Sequence, residues 1–150
     1  MIRQIAIGLC LLALAPAVSG AQSDSAGTRA RDDSAVRAVV QRYLHGLKFN
    51  DTVSLHEAFW REARLFSIGP KGQLAELTQG KWYAMFAQSA GKEEQGDLRI
   101  ADLDITANAA SVKVVEDYPG SRYTDYLNLL RIDGRWWIVN KIYTMERRRN

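Results

Sequence analysis

Side chains of four kinds in this sequence could do chemistry: a phenol at Tyr43, a carboxyl at Glu116, imidazoles at His45 and His56, and a set of large aromatic rings. Tyr43 sits in AVVQRYLHGLKFND, residues 38–51. Apolar residues recur there at Val39, Val40, Tyr43, Leu44 and Leu47, the spacing of a helix buried along one side. A phenol on that side can pack with its hydroxyl on a carbonyl, wall a pocket, or donate a hydrogen bond to a developing oxyanion. Glu116 shares strand phase with Val112, Val114 and Tyr118, which turns its carboxyl toward the core or a cavity unless it lies past the rim. A buried carboxyl must be paired or have its pKa raised, and a raised pKa suits a general base. His56 lies one position off Leu55 and His45 two positions past Tyr43, so both fall beside the apolar stripes. The catalytic candidates are therefore Tyr43, Glu116 and His56.

Trp82, Tyr126, Trp136 and Trp137 supply rings that either line a cavity for a flat molecule or build the core and a sheet-to-sheet face. Alternation along a strand lets only one of Trp136 and Trp137 face inward. Other chemistries lack their residues. The single cysteine, Cys10, lies in the leader, which leaves no thiol nucleophile and no disulfide for the body of the chain. Two histidines without a carboxylate cluster make no metal site, and there is no phosphate-cradling glycine loop and no G-x-S-x-G elbow. The sequence thus calls for no metal and no cofactor.

The elements that position these groups follow from the periodicity. Residues 1–21, with Arg3, an apolar run from Ile5 to Leu14 and small residues around Ser19 and Ala21, read as a signal peptide. The run is too short to span a bilayer core of roughly 30 Å. Leu9 before Cys10 argues against lipid attachment. The chain is expected to be exported, to a periplasm or the outside, with no membrane contact once the leader is removed. Residues 22–32 are polar and aperiodic and read as a flexible leader. A helix follows from a cap at Asp33 or Ser34, and a second, TVSLHEAFW, from Asn50-Asp51. Asn50-Asp51-Thr52 is also a formal glycosylation sequon. ARLFSI and QLAEL read as strands joined by the Gly69-Pro70-Lys71-Gly72 turn, and Thr78 caps a third helix carrying Trp82, Tyr83 and Phe86. From Asp97 the period is two, giving four strands with a bulge near Ala101-Asp102 and an Asp133-Gly134 hairpin. Residues 147–150 are a basic tail, and a net charge of +3 on 150 residues points to no nucleic-acid partner. Helices first and an antiparallel meander second make an α+β fold, one domain over residues 33–146 with three helices on a curved, mainly antiparallel sheet.

AVRAVVQRYLHGLKFND, EARLFSI, the Thr78 to Trp82 helix start and VKVVEDYPGSRYTDYLNLLRIDGRWWIVNKIY resemble the nuclear transport factor 2-like superfamily, and more closely its "Putative lumazine-binding" branch. The resemblance runs from about Asp33 to Met145. It implies a cone-like fold around a pocket that serves enzymes and non-catalytic binders alike. In the ketosteroid isomerases of the same superfamily, a tyrosine in a similar first-helix string sits in the oxyanion hole, and Tyr43 matches it. Their general base falls at or near Ser67, which cannot abstract a carbon-bound proton. Their second oxyanion donor, a protonated aspartic acid, falls at Asn128 when counted back from the hairpin. Related sequences often carry a His-Pro pair where this chain has Trp60-Arg61. The resemblance and the residue patterns together imply a small-molecule binder, non-catalytic by lack of a base, that holds a small apolar or aromatic ligand through Tyr43, Ser67 and Asn128 from the resemblance and Trp82, Glu116 and Tyr126 from their own phase and ring content. The aromatic residues of the strands lead to the expectation of a homodimer formed through the sheet. The alternatives are a lyase or isomerase of the polyketide cyclase type using Tyr43 with Glu116 or His56, and an interaction module with a filled core.

Overall fold

The computed structural model describes the backbone of residues 20–148 and side chains from residue 27 onward. The apolar leader through residue 19, on which the signal-peptide reading rests, and the last two residues of the basic tail lie outside the described residues. No helix among the described residues is long and apolar enough to cross a membrane.

The first helix, α1, spans Gly20–Lys48 and so begins well before the cap anticipated at Asp33 or Ser34. Residues 22–32 continue it instead of forming a loose leader. They hold Ala, Gln and Arg with one glycine and no proline, so nothing stops the helix from propagating outward from its packed half. Burial begins where the stripe begins: Val36, Val40 and Tyr43 are fully buried, and Val39, Leu44 and Leu47 nearly so. Gly46 permits the next turn of chain to approach, since a Cβ there would meet Leu55 Cδ2 at 2.5 Å and the Asp51 carbonyl at 3.0 Å. The short helix α2, Thr52–Ala58, is capped by Asp51, whose side chain accepts from the Val53 N–H at 3.0 Å.

Strand β1 starts at Phe59, earlier than read from sequence, and runs to Ile68; β2 is Leu74–Thr78, and α3 is the single turn and a half Gln79–Ala84. Then come β3 (Asp97–Thr106), β4 (Ala109–Tyr118), β5 (Ser121–Ile132) and β6 (Arg135–Arg147). The six strands form one curved sheet in the order β2-β1-β6-β5-β4-β3, antiparallel except where β1 lies parallel to β6. Asp133 and Gly134 both take positive φ, 49° and 79°, in the two-residue turn between β5 and β6. The helices cover one face, and the core between contains Leu55, Phe59, Leu65, Val112, Val114, Leu127, Leu129 and Ile138.

Besides an irregularity between Phe59 and Arg64 where β1 pairs with β6, two register shifts bear on which side chains face that core. The first lies between Ile100 and Asp102 of β3, where the sequence phase predicts a bulge. The second was not read from sequence: Asn128 pairs with Asn140 but Leu129 pairs with Ile138, leaving Val139 as an extra residue in β6. Trp136 and Ile138 face inward before it, and Lys141, not Asn140 or Ile142, faces inward after it.

Candidate functional site

The bulge at Val139 brings a lysine into an apolar interior, where it would be costly without partners. Lys141 is 5% exposed, and its Nζ donates to Asp125 Oδ2 and to the Tyr43 hydroxyl oxygen, each at 2.9 Å. It also lies 4.9 Å from the Tyr143 ring centroid and 5.1 Å from that of Trp82, both favourable for a cation. Asp125, fully buried, follows the inward phase of Leu127 and Leu129 on β5. Tyr43 reaches the same point from α1. Its hydroxyl donates to Asp125 Oδ2 and lies 3.1 Å from Glu116 Oε1, while Tyr118 donates to Glu116 Oε2 at 3.3 Å.

A phenol has one proton, so it can serve only one of these two carboxyl groups, and the other must bring its own. Burial, reinforced by the neighbouring Asp125 carboxylate and opposed by Lys141, raises the Glu116 pKa to about 8. At neutral pH Glu116 is thus a neutral acid that donates to the phenol oxygen, the phenol donates to Asp125, and Lys141 closes the set. Burial first, then the two carboxyl groups, pushes Tyr43 well above the usual phenol range, so it stays protonated. Burial and then Glu116 push Tyr118 up in the same way.

This cluster forms the floor of a cavity of about 660 Å³, within the range of small-molecule sites. Glu116 and Lys141 reach into it, Leu65, Leu77, Trp82 and Phe86 wall it, and Glu93, Glu94 and Gln95 stand at its rim. The rim is fastened to the end of α1. Lys48 Nζ donates to the carbonyls of Glu94 at 2.6 Å and Gly96 at 3.0 Å, and its own carbonyl accepts from the Glu94 N–H at 2.8 Å. Asn50, in the left-handed region at φ 51°, donates from Nδ2 to the Lys92 carbonyl at 2.8 Å and to Glu94 Oε1 at 2.9 Å. A glycan on that nitrogen would break the Asn50 clamp, which sets the sequon against this fold.

Three of the six ligand-contact candidates are brought together: Trp82 and Glu116 on the cavity and Tyr43 directly behind its floor. The other three lie elsewhere. Tyr126 and Asn128 stand on the opposite, outer face of β5, because the inward phase is Asp125, Leu127, Leu129. Asn128 is exposed and donates to Asn140 Oδ1 at 2.9 Å. Ser67 borders a separate apolar groove on that outer face, with Tyr126, Ile142, Phe66 and Leu74. Of the catalytic candidates, His56 is on the surface, its ring 4.1 Å from that of Tyr83. His45 is also exposed, against Phe49. Trp136 is the inward tryptophan, and Trp137 packs outside on Trp60.

Asp125 and Lys141 were missed from sequence. Asp125 carried a signal in its common phase with Leu127 and Leu129, whereas Lys141 is inward only through the bulge. Among the described residues no group of His, Cys, Asp and Glu is arranged to hold a metal ion.

A family model described as "Putative lumazine-binding" matches residues 31–144. Among solved structures, the chain is similar to a nuclear transport factor 2-like protein of unknown function from Shewanella baltica, at 27% identity and a TM-score of 0.71, over 78% of this chain and 95% of that one. A protein of the same description from Silicibacter pomeroyi aligns at 24% identity and a TM-score of 0.69, covering 79% and 98%. A ketosteroid isomerase-like protein from Erwinia carotovora atroseptica shares the fold at 13% identity and a TM-score of 0.56, covering 75% and 94%. No curated protein matches the chain.

Proposed function

The chain belongs to the family described as "Putative lumazine-binding" within the nuclear transport factor 2-like superfamily, and from that premise we propose that it is an exported protein that binds a small, partly apolar molecule without transforming it. The observation that carries this reading is the cavity: aromatic and aliphatic walls around a polar floor made of Glu116 and Lys141. Walls of that kind favour a flat ring system, and the floor fixes its orientation. Each floor group is already held by Tyr43, Asp125 or Tyr118, an arrangement that suits fixed recognition better than turnover. Export rests on the composition of residues 1–21. Two copies meet, on this proposal, through the outer face of the sheet, where Tyr126, Ile142, Ile68 and Leu74 are exposed.

The test is thermal unfolding against a panel of flat heteroaromatic molecules, with Leu77→Trp as a variant whose cavity is narrowed from one wall. A ligand at a hundredfold excess over its Kd stabilises by about 2.7 kcal/mol. Binders raise the unfolding temperature of the protein and raise that of the Leu77→Trp variant by less. A panel that moves neither protein contradicts the reading.

One observation favours a second reading, a lyase or isomerase. Glu116 has a pKa near 8 beside a phenol at a cavity, the property of an acid–base group working near neutral pH. Under that reading Tyr43→Phe abolishes turnover of a bound ligand; under the first, the ligand is recovered unchanged from both proteins.

A further inference from the structure

The charges around the cavity are unevenly paired. Lys141, the cation on its floor, is neutralised by Asp125 at 2.9 Å, and Glu93 on the rim is paired with Lys48 at 3.3 Å. Two carboxyl groups lining the same space have no such partner among the described residues. Glu94 is held by the neutral amide of Asn50, and Glu116 by the hydroxyls of Tyr43 and Tyr118. Trp82, Phe86, Tyr118 and Tyr143 line the same space; Lys141 Nζ lies over the Trp82 and Tyr143 rings, and among the described residues no cation stands over the Phe86 or Tyr118 ring. Aromatic walls with carboxyl groups at both ends attract an organic cation and repel an anion.

We propose that the cavity selects an organic monocation with an aromatic or apolar body, and that Glu116 gives up its proton to water as the cation enters. This deepens the small-molecule reading given above and rests on it. Charge balance explains the exchange. With Glu116 neutral, the ion pair of Lys141 with Asp125 behind it leaves the floor without net charge, and an incoming cation finds an attractive carboxylate at the floor only once the Glu116 O–H bond breaks and its proton leaves to solvent. The groups that face Glu116 are Tyr43 from α1, Tyr118 from its own strand, Asp125 from β5 and Lys141 from β6. The phenols remain protonated, so Glu116 is the group that releases the proton. A cation that requires the ionised form binds more tightly in proportion to the fraction ionised. For a group titrating at about 8, that fraction rises about tenfold between pH 7 and pH 9.

The experiment compares three probes of nearly one shape by isothermal titration calorimetry on the full chain: phenyltrimethylammonium, tert-butylbenzene and benzenesulfonate. None titrates in this range, so any pH dependence belongs to the protein. Phenyltrimethylammonium is expected to bind best, to tighten about tenfold from pH 7 to pH 9, and to release close to one proton per molecule bound at pH 7, read from buffers of different ionisation heat. In Glu116→Gln, shown to unfold cooperatively, the pH dependence of the cation affinity and the proton release are both gone. Equal or better binding of benzenesulfonate, or a pH-independent cation affinity, overturns the charge assignment and leaves the small-molecule reading standing. If no probe binds a protein that unfolds cooperatively, both fall.

Discussion

Replacing Tyr43 by phenylalanine removes one oxygen and keeps the ring against Phe59 and Trp82. If Tyr43 were core packing alone, the change would be nearly neutral. In this structure the oxygen is the hub of the buried cluster: it donates to Asp125, accepts from Lys141 and meets Glu116. Asp125 Oδ1 already has no hydrogen-bond partner, so losing the phenol leaves that carboxylate with Lys141 alone. Hydrogen bonds to charged groups contribute about 1.5–3 kcal/mol each, and the remaining partners can relax into part of the space, so a net loss of about 3 kcal/mol is expected at pH 7. In urea, with an m value of about 1–3 kcal/mol/M, the midpoint falls by about 1 M or more with the slope unchanged. A double-mutant cycle with Asp125→Asn assigns the effect: coupling of about 1 kcal/mol or more is expected for partners in one network. A loss under about 0.5 kcal/mol, or additive behaviour in the cycle, would refute the hub.

Because the folded pKa of Glu116 lies near 8 against an ordinary 4.5, its effect on stability is nil below 4.5, where both states hold the proton. Stability then falls as pH rises toward 8, where the unfolded chain alone has ionised; Glu116→Gln flattens that slope in pH-dependent urea unfolding, and an unchanged slope contradicts it. Lys141→Met strands the buried Asp125 and costs about 3–5 kcal/mol, while adding Asp125→Leu restores most of the loss, both read from urea midpoints. Gly46→Ala gains helix propensity of about 1 kcal/mol yet destabilises by about 1–2 net, since the new methyl group meets Leu55 and the Asp51 carbonyl; a rise in unfolding temperature contradicts that close approach. Ile142→Glu on the outer face is expected to give a monomer by light scattering where the parent gives a dimer; a monomeric parent contradicts the pairing.

The order of elements was legible because helix and strand periods are separated along the chain, three helices and two strands before an uninterrupted run of four more. Half of the site was legible too. Tyr43 lay on a clear stripe and Glu116 in a clear phase, and both point where those patterns say. Counting positions from the hairpin misled at Asn128, where the neighbouring Leu127 and Leu129 show that Asp125 is the inward polar residue. Lys141 was hidden by a different cause. One extra residue at Val139 inverts the phase of β6, and a bulge in the middle of a strand leaves no turn-like residue to announce it. The helix end at Gly20 was misplaced because polarity marks exposure, and an exposed helical extension is as polar as a coil.

The central claim, a cavity that holds a small molecule, is tested most directly by a native mass spectrum of the protein purified from its own host, set against a denaturing spectrum of the same sample. The account predicts a discrete extra mass that denaturation releases and that Leu77→Trp carries in a smaller fraction of molecules. A protein that is bare in its own host, and whose native spectrum stays bare after incubation with that host's small-molecule extract, would contradict it.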